Sequence, residues 1–148
     1  MCRPSPLNLE SYGIASFSFM TDKEYVLDKG LDLNGCKITV DREYKTNTEN
    51  DSYHMVELKI FVRPKKRGTF PYKIKLELGG FFITNKSDQY TEDTLRAIVY
   101  INGASMLYGV AREYIFMATC HNMCGPFMLP SVSFRPDSDK GEKAVSGK

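Results

Sequence analysis

The chain has 148 residues, 42% of them hydrophobic, which is one domain's worth of chain with enough apolar material for a core. A net charge of +2 is too small to argue by itself for a nucleic-acid partner. The first residues carry no apolar core of a secretion signal, and no run approaches the ~18 apolar residues of a membrane span, so the expectation is a cytoplasmic protein with no membrane insertion.

The first strand is expected over Leu7 to Phe19. Leu7, Leu9, Gly13, Ala15, Phe17 and Phe19 share one parity, while Tyr12 and Ile14 make the other parity partly apolar too. A strand apolar on both faces has something packed on both sides, and in an oligomer the second layer is another subunit. Thr21 to Gly35 then breaks the alternation, mixing Asp, Lys and Gly with Tyr25, Val26, Leu27, Leu31 and Leu33. It reads as a long loop pinned by its own apolar side chains.

Cys36 to Thr46 alternates cleanly, with Ile38, Val40, Arg42 and Tyr44 on one face, and reads as a half-buried strand. Tyr53 to Arg63 is the third strand, with His54, Val56, Leu58, Ile60 and Val62 facing one way. After the basic turn Pro64-Lys65-Lys66-Arg67-Gly68 comes a fourth strand, Tyr72 to Thr84. Gly79-Gly80 within it suggests a bulge or a close backbone approach, with a shift of parity at that point.

From Thr94 the period changes to that of a helix. Leu107, Val110, Ala111, Tyr114 and Ala118, widened by Met106 and Met117, form a buried-stripe pattern. Asn102-Gly103 marks an expected break and new N-cap, leaving a short helix over Thr94 to Ile101. Gly125-Pro126 stops the long helix. Strands in a block followed by helices give an α+β fold: a four-stranded antiparallel sheet with a long helix on one face. One domain is expected over 1–134. The tail 135–148, with Val145 as its one apolar residue, is expected to be disordered.

The run Leu107-Tyr108-Gly109-Val110-Ala111-Arg112-Glu113 resembles the signature helix of SecB-type export chaperones, L-F-P-Y-A-R-E, with Gly109-Val110 in place of Pro-Tyr. Gly125, Phe127, Leu129, Val132 and Phe134 resemble the family's G-x-F-P…L-x-P-V-N-F segment. Gly79-Gly80-Phe81-Phe82 is similar to the end of its last strand, and Ser16-Phe17 to the S-F of its first. The family's second helix after this segment has no counterpart here. The resemblance implies an ATP-independent holdase that binds unfolded or precursor polypeptides, related to protein export and built as a tetramer, a dimer of dimers. It also implies that the crossover loop walls a client groove. The expected groove residues are Phe17, Phe19, Tyr25, Val26, Ile38, Val40 and Tyr44, and the expected oligomer contacts are Tyr12, Ile14, Arg112 and Glu113. Docking of the SecA motor is doubtful. The family's acidic positions align with Ile14 and Ser18, which carry no charge, and with Lys75, which reverses the sign. A dedicated adaptor for one partner, such as a toxin–antitoxin-associated chaperone, is the alternative.

Residues that carry chemistry do not assemble into a site. Cys120-His121-x-x-Cys124 with Cys36 lacks a second ligand pair at zinc-finger spacing, so no metal is expected. The cysteines show no framework spacing, which fits a reducing compartment. His54 reads as a core or interface histidine, carboxylates are scattered, and no phosphate-binding loop is present. Lys65-Lys66-Arg67 with Lys73 and Lys75 reads as a solvated hairpin end. The reading is a non-enzyme without a cofactor. Its nine Tyr, nine Phe and seven Met exceed what one sheet-plus-helix layer buries, and oligomerisation or client binding is expected to cover the rest.

Overall fold

The alternation of apolar and charged side chains builds the sheet. In β4 (Tyr72–Thr84), Tyr72, Ile74, Leu76 and Leu78 are buried while Lys73 and Lys75 are exposed. In β3 (Tyr53–Pro64), Val56, Leu58, Ile60 and Val62 repeat the inward set. The computed structural model describes residues 2–27, 30–86 and 89–135. In it these two strands form the middle of a four-stranded antiparallel sheet of order β1-β4-β3-β2. The edges are β1 (Leu7–Thr21) and β2 (Cys36–Thr46). The bounds of β2 and β4 match those read from alternation, and β1 and β3 run on to Thr21 and Pro64.

The uneven parity of β1 has a different cause from the one expected. Its pairing with β4 shifts between Leu9 and Ser11 and again between Ile14 and Ser16. Each shift is a bulge that inserts one residue and turns the following side chains to the other face. Tyr12 and Ile14 therefore stand opposite Gly80 and Leu78, on the same inner face as Leu9, Phe17 and Phe19. There is no second apolar face. The glycine pair in β4 carries no parity shift either: Leu78, Gly80 and Phe82 are all inward and buried. The close approach is real. A Cβ on Gly80 would come within 2.9 Å of Leu107 Cδ2 and 3.1 Å of Leu9 Cδ1.

The expected break at Asn102-Gly103 is absent. α1 (Glu92–Ile98), capped by Thr91, runs into a π turn (Val99–Gly103) and then into α2 (Ala104–Thr119) without leaving helical backbone angles. Gly103 is needed for packing rather than capping, since a Cβ there would meet Phe82 and Val56. The π turn adds a residue to the helical repeat and so rotates α2 relative to α1. The buried stripe of α2 is Ala104, Leu107, Tyr108, Ala111, Ile115 and Thr119. Of the expected stripe Leu107 and Ala111 are buried, while Val110 and Ala118 are half-buried and Tyr114 is exposed. Against the inner face of the sheet, Leu107 and Ile115 join Ile38, Leu58, Ile60, Leu76 and Phe82 in one core.

After α2 the chain reverses at Gly125, whose φ of 89° suits glycine, and returns as an extended segment. Phe127, Leu129 and Phe134 are buried along it. Thr119 Oγ1 accepts from the Phe127 amide at 2.8 Å, Tyr108 Oη donates to the Pro130 carbonyl at 2.6 Å, and Arg112 Nε donates to the Leu129 carbonyl at 2.9 Å. Among the described residues no second helix follows α2. The tail expected to be disordered lies, beyond Arg135, outside them.

Candidate functional site: an apolar shelf beside the long helix

Two interleaved apolar stripes run along α2. The first is the buried set above. The second, Met106, Val110, Tyr114 and Met117, lies beside it and looks out past β1. Tyr114 meets Phe17 edge-on with ring centroids 5.0 Å apart, and Phe17 stacks parallel to Phe19 at 6.4 Å. Because the bulges set Tyr12, Ile14, Phe17 and Phe19 all on the inner side of an edge strand, this row and the second stripe of α2 form one continuous apolar shelf. Its outer members are open: Met117 is 60% exposed and Tyr12 57%. At one end the crossover presents Val26 and Leu27, 62% and 55% exposed.

The expected groove residues do not form one site. Phe17, Phe19, Tyr25 and Val26 fall at the end of the sheet where α2 finishes. There Phe19 packs on Tyr72 at 5.3 Å, and Tyr25 lies near enough to Tyr72 to oppose its ionisation. Ile38 and Val40 are core residues, 0% and 7% exposed, because the inner parity of β2 faces the helix layer. They offer a ligand no surface in this chain. Tyr44 stands at the far end of β2, where its hydroxyl lies 2.7 Å from His54 Nδ1 and its ring meets Tyr100 edge-on. Met106 and Met117 are of the residue type that sequence reasoning associates with adaptable binding faces. The exposure of Tyr114 was missed because it was counted with Met106, Val110 and Met117 within a single wide stripe. Their i, i+4, i+8, i+11 spacing, distinct from that of Ala104, Leu107, Ala111, Ile115 and Thr119, was the available signal.

Of the expected oligomer contacts, Tyr12 and Ile14 lie on the shelf and Glu113 is exposed on its helix flank. Arg112 is engaged within its own chain, holding the Leu129 carbonyl. Tyr108 and Arg112 together clamp the returning segment.

The ionisable groups outside the shelf are structural in placement. Burial pushes the hydroxyls of Tyr72 and Tyr108 up to about 12, and both donate to carbonyls of the segment after α2, Gly125 and Pro130. His54 is buried, with Nε2 3.3 Å from Thr84 Oγ1, and burial followed by the charge of Arg96 lowers its pKa. Cys36 is buried at the start of β2, where its thiol donates to the Leu33 carbonyl at 3.2 Å, and burial raises its pKa. Burial also raises that of Cys124, while the thiol of Cys120 donates to the Met117 carbonyl. No described helix is long and apolar enough to cross a membrane.

No protein-family model matches the sequence, and no curated protein does. Solved structures do. The Mycobacterium tuberculosis Rv1957 SecB-like chaperone, in complex with a ChAD peptide from the Rv1956 HigA1 antitoxin, superposes with a TM-score of 0.64 at 17% identity, over 88% of this chain and 92% of that one. A protein of unknown function from Streptococcus agalactiae matches with a TM-score of 0.46 at 11% identity, over 84% of this chain and 97% of that one. An antiparallel sheet of four strands with one long helix across its inner face, joined to the first of these matches, gives the chain a SecB-like fold.

Proposed function

We propose that the protein is a SecB-like, ATP-independent holdase that binds unfolded or precursor polypeptide on the shelf formed by β1, α2 and the crossover, in the cytoplasm and in connection with export. The observation that carries this reading is the row of Tyr12, Met106, Tyr114 and Met117 left exposed along β1 and α2, with Phe17 and Phe19 half-buried beside it. Methionine adapts its shape, and aromatic rings supply area at low entropic cost, which suits a surface that takes many sequences. Binding the unfolded state is mass action and needs no catalytic residue, so the protein is read as a non-enzyme without a cofactor. The client site is assigned to Phe17, Phe19, Tyr25, Val26, Tyr114 and Met117. A reduced, unfolded client should bind and its native form should not, and Met117→Glu with Val26→Glu should weaken binding at least tenfold. Equal affinity for both client forms would sink the reading.

The same reading includes a dimer of dimers. The outer edge of β1, the exposed Tyr12 and Glu113 and the half-buried Ile14 are the proposed contacts. Arg112 acts there only through the segment it holds. Light scattering should give about four chains per particle at micromolar concentration, a state consistent with the closed symmetries of most oligomers.

SecA is not proposed as a partner in the usual manner. Ser18 and Lys75 stand directly opposite each other on the open face of the sheet, giving a neutral and a cationic group where the resemblance places carboxylates. Like-charge juxtaposition with a basic partner costs several kcal/mol. Ile14, also aligned with an acidic position, faces the helix layer and bears on this less. Submicromolar binding to SecA at low salt would overturn the point.

A second reading, an adaptor dedicated to one partner, is favoured by one observation: the Mycobacterium tuberculosis chaperone carries a peptide of an antitoxin. A toxin–antitoxin operon around this gene, and a client preference for the product of that operon over a generic unfolded chain, would select it.

A further inference from the structure

The open face of the sheet, opposite the helices, is divided by charge. At its centre the carboxylates dominate: Glu43 stands directly opposite Glu57, and Asp41 opposite Lys59. At the end next to the β3–β4 turn the balance reverses. There the turn 64–69 and the crossover border an open concavity of about 860 Å³. Its floor is Met20 and Phe61, and its rim carries Lys23, Arg63, Lys65, Lys66, Lys73 and Lys75.

Seven cations and three carboxylates, Asp22, Glu24 and Asp41, line the concavity, so it keeps a net positive charge. Asp22 is committed to the fold: its carboxylate accepts from the Gly68 amide at 3.0 Å and from the Glu24 amide at 3.1 Å, and these bonds hold its pKa down. Glu24 pairs with Arg67 at 3.6 Å. Lys75 reaches Glu77 at 3.7 Å. Lys23, Arg63, Lys65, Lys66 and Lys73 pair with no carboxylate among the described residues. These five cations surround one concavity: Lys23 from the crossover, Arg63 and Lys73 from β3 and β4, and Lys65 and Lys66 from the turn. Beside it Asp22 clasps the turn to the crossover.

We infer that this concavity docks an acidic polypeptide segment, one with carboxylates for the lysine rim and an apolar side chain for the Met20–Phe61 floor. The surface is separate from the client shelf, which lies on the other side of the sheet. Charge complementarity selects an anion, and the surroundings select a short one. The concavity lies within the roughly 300–1,000 Å³ that enclose small ligands or a few residues of peptide. A nucleic acid strand extends its charge at every nucleotide and would run from the rim onto Asp41, Glu43 and Glu57. Stacking of bases also needs open aromatic faces, and the single ring here, Phe61, has the Lys75 ammonium 5.6 Å from its centroid. The chain-wide charge of +2 supplies no long-range pull on a polyanion.

The test is a polarisation titration of the full chain with the fluorescein-labelled peptide Glu-Asp-Leu-Glu-Glu-Phe-Asp-Glu. Parallel arms use its Gln/Asn analogue, a labelled single-stranded oligonucleotide and inorganic phosphate as competitor. The expected result is saturable binding to the acidic peptide. It should weaken as salt rises and fall at least tenfold in the exposed double variant Lys65→Glu, Lys66→Glu. Lys73→Glu should reproduce the loss from the β4 side, which separates the site from any local change in the turn. Equal binding of the Gln/Asn analogue, tighter binding of the oligonucleotide, full displacement by millimolar phosphate, or binding untouched by both variants would each overturn the inference.

Discussion

Arg42 lies over Tyr100, its guanidinium carbon 3.4 Å from the ring centroid, while Nη1 donates to the Tyr100 carbonyl at 3.0 Å and to the Phe134 carbonyl at 3.3 Å. One side chain thus ties the second strand to the π turn and to the end of the returning segment. It also explains a charged residue at an inward position of β2, between Val40 and Tyr44. Hydrogen bonds from a charged donor contribute roughly 1.5–3 kcal/mol, so Arg42→Leu should lower stability by about that amount in urea unfolding. Arg42→Lys should recover less than half, because an ammonium cannot stack flat on the ring while reaching two carbonyls.

The stability should depend on pH through His54. Burial and then the nearby Arg96 lower its pKa below the ordinary 6.5, with Asp51 opposing. The unfolded chain therefore takes up the proton first. Stability is fully present above pH 6.5 and is lost as pH falls through that value toward the folded pKa. Denaturant midpoints measured between pH 7.5 and pH 5 should decline in the wild type. In His54→Gln the decline should be shallower, whatever the variant's starting stability.

Two adjacent glycines should respond differently to a methyl group. Gly80→Ala places a Cβ 2.9 Å from Leu107 Cδ2, 3.1 Å from Leu9 Cδ1 and 3.2 Å from Phe82 Cε2. Overpacking of this kind costs about 1–3 kcal/mol. Gly79→Ala meets Glu57 Cγ at 3.4 Å and the Val56 carbonyl oxygen at 3.5 Å, both ordinary contacts. It should be neutral or stabilise by up to ~1 kcal/mol through the unfolded chain. Thermal melts of the two variants give the comparison.

Thr119 bonds to both sides of the turn after α2, donating to the Ile115 carbonyl and accepting from the Phe127 amide, each at 2.8 Å. Thr119→Val keeps the shape and leaves that buried amide without an acceptor, a loss of about 1–3 kcal/mol. Thr119→Ser keeps the acceptor and gives up one methyl, about 0.8 kcal/mol. Chemical denaturation should rank them in that order.

The sheet was legible because period-two alternation survives wherever one face is covered and the other is wet, as along Tyr72 to Leu78. The helix was legible in extent and less so in phase. A π turn has no residue signature of its own, and the apolar positions of α2 fit two overlapping stripes, so Val110 and Tyr114 read as core while Tyr108 and Ile115 hold that place. Among the expected groove residues only Val26, in the crossover, is exposed, while Phe17 and Phe19 on the edge strand are half-buried. Ile38 and Val40 alternate like any half-buried strand, and nothing in that pattern says which of two faces stays open. The charge division of the open face was hidden for a related reason. It depends on the turn 64–69 and the crossover bordering one concavity together, a contact between segments far apart in sequence.

The bulges of β1 change what a gap means in this chain. Ile14 pairs with Leu78 and Ser16 with Glu77, so Ala15 occupies no rung of the ladder, and Glu10 between Leu9 and Ser11 is in the same position. Removing either residue would leave every remaining cross-strand partner where it is. Relatives with a shorter first strand are thus to be aligned with a one-residue deletion at Glu10 or Ala15. An ungapped count from Leu7 onward would carry inward residues onto outward ones for the rest of the strand.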